Sequence, residues 1–229
     1  MGVARRAAMG TQQTIEVMPE RLMRWCQGFA DRHGGVTSTD KSPQRWILLA
    51  GDGVRARIEP AFPPVKVDAD ESVGLDIGDL VEHALAERIV GVLLVRLGAH
   101  AAGVFQGSQL VSSKVGRALV HGRSKAGGWS QQRFALRRAG QARESLADAA
   151  AVTARILLPE VARLDAVVLG GDRRAIERLR GDGKLAPVFD RAVERFLTVP
   201  EPRLAILRGT PRLFRSARVM LEPAEEQRR

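Results

Sequence analysis

Cysteine occurs once in this chain of 229 residues, at Cys26, so no internal disulfide can form. That usage fits a reducing cytoplasm. Tyrosine is absent and aromatic residues make up only 4%, too few for a platform that binds single strands by stacking successive bases. No apolar run reaches the roughly 18 residues of a membrane span, and no membrane partner is expected. Residues 1–10 hold too short an apolar stretch for a signal peptide and read as a disordered start. Lysine is scarce, five against 31 arginines. This matches GC-rich coding bias, so the arginine preference carries no functional weight. The four histidines, His33, His83, His100 and His121, show no ligand spacing, and one cysteine cannot complete a zinc site. Neither a metal nor a cofactor is expected.

The most informative absence is of carboxylates. Between Glu87 and Glu144 there is none, while Arg88, Arg96, Lys114, Arg117, Arg123, Lys125, Arg133, Arg137, Arg138 and Arg143 all fall in that stretch. The remaining residues balance at 26 positive and 26 negative charges, so the whole net charge of +10 sits in this one segment. A solvated basic face is the plain account of a charge run. Here the acid-free zone crosses both a hydrophobic stretch and a glycine-rich loop, which points instead to a nucleic-acid partner.

An apolar content of 45% supports a sizeable core. Pro19 is suited to the first position of a helix over 19–33, and Gly34-Gly35 to its end. Cys26 lies in that helix and reads as a small buried hydrophobe. Residues 45–50 predict a strand, Gly51-Asp-Gly53 a turn and 54–58 a return strand. The prolines at 60, 63 and 64 mark a linker or irregular crossing over 59–72. A helix over 76–87 follows, with Ile77, Leu80, Val81, Ala84 and Leu85 on one face. Strands at 89–97, 100–105, 109–113 and 115–120, joined by short turns, imply an antiparallel meander.

The period then changes. Apolar or small residues at 135, 139, 142, 146, 149, 153 and 156 trace one face of a long helix that Pro159 stops. Ser130 is a good N-cap for it, and Trp129 and Phe134 have the spacing of a hydrophobic staple. A buried strand over 165–169, a turn at Gly170-Gly171, a capping Asp172 and a helix over 173–180 come next. Further helices are expected over 188–195 and near 202–216, with strands over 196–199 and 219–221. Residues 222–229 form a polar tail.

The stretch 121–143 carries the chemistry. Gly122, Gly127 and Gly128 let the backbone adopt conformations closed to other residues and approach a partner closely. Gln131 and Gln132 then fall in the first helical turn, where backbone N–H groups lack acceptors and negative charge is favoured. A glutamine there can orient a water with its carbonyl and polarise an ester with its amide. It cannot act as a general base at neutral pH, so the chemistry rests on positioning and electrostatics. Taken alone, the residues also fit a plain glycine-rich loop with exposed glutamines.

His121-Gly-Arg and Ala126-Gly-Gly-Trp-Ser-Gln-Gln-Arg-Phe-Ala-Leu-Arg-Arg138 resemble the catalytic loop of the eukaryotic and archaeal class I peptide-chain release factors. There a Gly-Gly-Gln tip precedes Ser and an Arg-Phe-rich basic helix. The loop is more similar still to the VLRF family, release factors of stalled, split ribosomes, in its actinobacterial branch. The resemblance spans about 44–222 and is sharp across 121–143, with weaker support from the strand–Gly-Gly–helix at 165–180. It departs at Trp129, which stands where the release-factor glutamine would fall. VLRF proteins keep a Gly-x-x-Gln, and Gly128-Trp-Ser-Gln131 has that spacing.

The resemblance implies a mixed α/β fold related to ribonuclease H, a mixed sheet flanked by helices. The expected organisation is an N-terminal extension with one helix over 1–43, a release-factor catalytic-like domain over 44–222 and a tail over 223–229. It also implies a peptidyl-tRNA hydrolase that frees nascent chains on the large ribosomal subunit. Gly127 and Gly128 would shape the tip, Gln131 would hold the water and Gln132 is the fallback. Arg123, Lys125, Arg133, Arg137 and Arg138 would grip tRNA and ribosomal RNA phosphates. No separate decoding domain is evident, which favours a codon-independent role.

Three other readings stand beside this one. A non-catalytic ribosome-binding factor would explain Trp129. A metal-dependent RNA endonuclease would use Asp52, Asp68 and Asp70, although turn and linker aspartates are the plainer account. Leu169-Gly-Gly-Asp172 ahead of a helix can bind phosphate, although Gly before a capping Asp is also common turn chemistry.

Overall fold

A computed structural model of the chain describes residues 14–96, 98–117 and 130–224, with 130–139 as helical backbone. The chain divides into two units, Met1–Ala86 with Arg215–Arg229, and Glu87–Phe214.

The first unit is a sheet backed by helices. Its elements are β1 (Thr14–Val17), α1 (Pro19–Arg32), β2 (Val36–Ser42), β3 (Arg45–Ala50), β4 (Arg55–Glu59), β5 (Glu71–Val73), α2 (Gly78–Leu85) and, from the end of the chain, β11 (Ala217–Glu222). The strands run antiparallel in the order β1-β11-β4-β3-β2-β5. Pro19 opens α1, and Gly34 and Gly35 leave it at positive φ, as their residue types predict. Leu22, Cys26 and Phe29 recur on one face of α1 and are buried with Trp46, Leu48, Ile58 and Val219. Each such large apolar side chain contributes about 1.5–3 kcal/mol relative to exposure. Burial pushes the Cys26 thiol up to about 12, which makes it a core hydrophobe rather than a nucleophile.

Two expectations change here. The boundary expected at 43–44 falls inside the β2–β3 hairpin, so residues 36–42 are an integral strand rather than part of an extension. The crossing over 59–72 ends in β5, which pairs with β2.

The second unit holds β6 (Ile89–Arg96), β7 (Ala99–Gln106), β8 (Gln109–Arg117), α3 (Ser130–Ile156), β9 (Ala166–Gly171), α4 (Arg173–Arg180), α5 (Ala186–Phe189), β10 (Ala192–Leu197), α6 (Leu204–Gly209) and α7 (Pro211–Phe214). Its sheet order is β10-β9-β6-β7-β8. The meander β6-β7-β8 is antiparallel, whereas β9 and β10 add in parallel. One face, with Leu93, Val95, Ala102, Val104, Val167 and Leu169, is covered by α3, α4 and α5 through Ala149, Ile176, Leu179, Val188 and Phe189, together with Leu157 just after α3. On the other face Phe105 meets Phe214 of α7 edge-on at 5.5 Å. Leu207 of α6 lies against Gly103. This is the mixed sheet flanked by helices that was expected, but it is one of two sheets.

The strands expected at 109–113 and 115–120 are one continuous β8 up to Arg117. The helix expected over 188–195 is instead the short α5 followed by β10, because parallel pairing with β9 overrides the local helical pattern. The helix near 202–216 is split at Pro211, which has no N–H to continue it.

Candidate functional site

Strand direction decides at which edge of the sheet β8 ends. β7 is antiparallel to both β6 and β8, and β9 and β10 are parallel to β6. The carboxyl ends of β6, β8, β9 and β10 therefore share one edge of the sheet. The loop leaves β8 at that edge, after Arg117, and rejoins described chain at Ser130, where α3 starts. The crevice beyond the carboxyl ends of strands is where ligands bind in open α/β sheets.

Helix α3 returns across β7 and β8. Its 27 residues measure about 40 Å, against about 30 Å for the nine residues of β8. Among its described side chains the first buried one is Ser145, followed by Ala149 and Thr153. Gly140 is open, with nothing within 4 Å of an added Cβ. Among the described side chains of α3, those buried against the sheet are in its carboxyl-terminal part. The predicted apolar face is buried or half-buried at 142, 146, 149, 153 and 156.

Gln131, Gln132, Arg133, Arg137 and Arg138 are all on these first turns of α3, as backbone positions. Gln131 and Gln132 are successive positions of the helix, about 100° apart around its axis. Arg133 and Arg137 stand one turn apart along one side. Arg123, Lys125, Gly127 and Gly128, together with His121 and the Trp129 side of the proposed staple, lie outside the described residues.

Beside the loop, the edge carries a row of cations. Arg117 is paired across the sheet with Ala99, and Ala99 with Arg96, which sets the two arginine backbones roughly 10 Å apart. Arg96 Nη1 donates to the Val199 carbonyl at 3.0 Å. Arg117 meets Glu201 at 3.0 Å, and the other oxygen of that carboxylate accepts from Arg203 at 2.8 Å. Arg203 and then Arg117 hold the Glu201 carboxyl below its ordinary range. The sequence pointed to the loop but not to this triplet. Its only trace is Val199-Pro-Glu-Pro-Arg203, a short segment with one acid between prolines.

At the foot of the loop, His100 on β7 lies opposite Gly116 on β8. A Cβ at Gly116 would overlap the His100 ring. His100 is buried, and its Nδ1 has no hydrogen-bond partner. Burial pushes the imidazole pKa down, with Asp148 on α3 acting the other way. The folded chain therefore binds a proton at His100 less readily than the unfolded chain, whose reference value is 6.5. Stability from this group is present above that value and is lost as pH falls through and below it. His100→Gln should flatten the fall in unfolding free energy between pH 7.5 and 5.5. Urea titrations of both proteins at the two pH values check this, and parallel pH profiles would refute it.

Of the alternative site residues, Asp52 and Asp172 have local structural contacts. Asp52 accepts from Val54 N–H at 3.1 Å and pairs with His33 Nδ1 at 2.7 Å. The Asp70 carbonyl accepts from Lys41 N–H at 2.6 Å. Asp172 caps α4 by accepting from Arg174 N–H at 2.8 Å. Among the described residues no three His, Cys, Asp or Glu side chains group as a metal site. No helix among them is long and apolar enough to cross a membrane.

The sequence profile described as "Actinobacteria/chloroflexi VLRF1 release factor" matches residues 88–220, more than half of the chain and all of the 121–143 stretch. No curated protein matches the chain. Among solved structures it is similar to an archaeal translation termination factor, aRF1, at 15% identity and TM-score 0.41, over 70% of this chain and 46% of that one. It is similar to a Vms1 mitochondrial localization core at 10% identity and TM-score 0.42, over 91% and 82%. It is also similar to S. cerevisiae Dom34, a translation termination-like factor, at 8% identity and TM-score 0.34, over 89% and 64%. The chain spans about half the length of the archaeal factor.

Proposed function

This chain belongs to the Actinobacteria/chloroflexi VLRF1 release-factor family, and on that premise we propose that it is a peptidyl-tRNA hydrolase of the cytoplasm. It frees nascent chains from tRNA on stalled large ribosomal subunits. The observation that carries the reading is the placement of an acid-free, glycine-rich stretch between the carboxyl end of β8 and the amino end of α3. The 118–129 loop enters the peptidyl-transferase centre. Gln131 positions a water against the ester carbon; the water's oxygen bonds to that carbon, the bond to the tRNA ribose oxygen breaks, and a proton given up by the water ends on the departing ribose oxygen. The helix start and the surrounding cations favour the developing oxyanion. Arg123, Lys125, Arg133, Arg137 and Arg138 contact tRNA and ribosomal RNA phosphates. No cofactor takes part. The test is peptide release from purified stalled complexes, with wild type beside the Gln131 and Gln132 variants.

A non-catalytic factor whose loop only occupies the site is the second reading. Trp129 at the position of the release-factor glutamine favours it. It requires stable binding to the subunit with no release.

Either reading makes binding salt-dependent through counterion release. The double variant Arg137→Ala, Arg138→Ala should reduce the slope of log affinity against log salt by about one to two. Titration against large subunits over a range of potassium concentrations measures it. An unchanged slope would place the RNA contact elsewhere.

A further inference from the structure

We propose that Arg117 and Arg203 form a phosphate-binding pair for RNA at the foot of the 118–129 loop, occupied by Glu201 until an RNA phosphate displaces it. This extends the RNA-facing reading above and rests on it.

The geometry is that of oxyanion recognition. Two guanidiniums approach one carboxylate, one on each oxygen, at 3.0 and 2.8 Å. Charge-assisted contacts of this kind suit a phosphodiester as well as a carboxylate. The pair is accessible, since the Arg117 and Arg203 side chains are 70% and 65% exposed. Ion pairs exposed to this degree contribute little to stability and exchange readily with a competing anion.

The segment that presents Glu201 is anchored without it. It leaves β10 at one edge of the sheet and reaches Arg117 of β8 at the other, so it straps the carboxyl edge. Val199 and Pro202 are buried, and Arg96 holds the Val199 carbonyl. Pro200 and Pro202 restrict φ on either side of Glu201. The strap needs no ion pair to stay in place, so Glu201 is free to serve another end. One carboxylate between two arginines leaves a net positive charge. It also screens Arg117, which immediately precedes the loop. An RNA backbone that reaches this edge beside Arg117 meets the pair, and phosphate replaces carboxylate with no change in the fold.

The test is a double-mutant cycle on the full chain, read by fluorescence anisotropy with a labelled RNA hairpin. Glu201→Gln should raise affinity about threefold or more at low salt, a gain that misfolding cannot produce. Arg117→Ala with Arg203→Ala should lower affinity and reduce the salt slope by about one to two. Glu201→Gln added to the double-alanine protein should then give no further gain. The proposal fails if Glu201→Gln leaves affinity unchanged. It fails equally if the gain persists without the arginines, which would mean a general loss of negative charge. These outcomes separate from those for the hydrolase reading. Release that depends on Gln131 in a protein lacking the coupling sinks the pair alone. Coupling in a protein whose Gln131→Ala variant releases normally sinks the hydrolase alone.

Discussion

Gln131→Ala should cut the rate of peptide release by about a hundredfold or more, the range found when one transition-state amide is removed from a preorganised site. Affinity for stalled large subunits should stay within about twofold, because the change removes no charge and phosphate contacts dominate RNA binding. The effect originates at the start of α3. Gln131 falls in its first turn, where backbone N–H groups lack intrahelical acceptors and the helix favours negative charge. An ester carbonyl placed there gains electrostatic support as its oxygen becomes anionic. The water must still be held on the opposite side, and an uncharged amide can do this without being neutralised by the surrounding arginines. Gln132→Ala is the matched control, since neighbouring helical positions diverge by about 100°. Single-turnover release on a purified stalled complex decides the matter. Full release by Gln131→Ala would remove the catalytic role, and loss only in Gln132→Ala would move it by one residue.

The second large effect is on stability. Gly171→Ala should destabilise the Glu87–Phe214 unit by roughly 2–6 kcal/mol, adding backbone strain to overpacking. Gly171 closes β9 at φ +99°, and a Cβ there would overlap the Val95 carbonyl oxygen of β6. That oxygen also accepts from Asp172 N–H at 2.7 Å, so the strand cannot retreat without losing the bond that leads into α4. Such a loss is a large share of the 5–15 kcal/mol typical of a domain. Gly140→Ala is the counterpart in the open interior of α3, where the change should stabilise by up to about 1 kcal/mol. Denaturant midpoints and amide exchange in β6 and β9 measure both. A wild-type midpoint for Gly171→Ala would refute the overlap.

What the sequence made legible was local. Pro19, Gly34 and Gly35 bound α1, Asp172 caps α4, and the Gly51-Asp-Gly53 turn joins β3 to β4 because each residue type acts within a few positions of itself. What it hid was pairing at a distance. Ile15 lies beside Val219 in the first sheet, and neither segment carries a mark that names its neighbour. β10 has a helical pattern that only its place beside β9 overturns. The same divide runs through the site. The glycines, glutamines and missing carboxylates of 88–143 were visible as residue types. That Glu201 sits on Arg117 was not, because the strap has to cross the whole sheet before the two meet.

The seating of α3 from Ser145 onward has a mechanical consequence. A helix held by those residues is a spacer whose reach is counted in whole residues, about 1.5 Å for each. Removing four residues ahead of Ser145 would draw the glutamine-bearing end back by about 6 Å and turn it by about 40°, while the part from Ser145 onward keeps its seat. The reach of the two glutamine positions is therefore set by the length of this helix, each step of length bringing a turn about its axis.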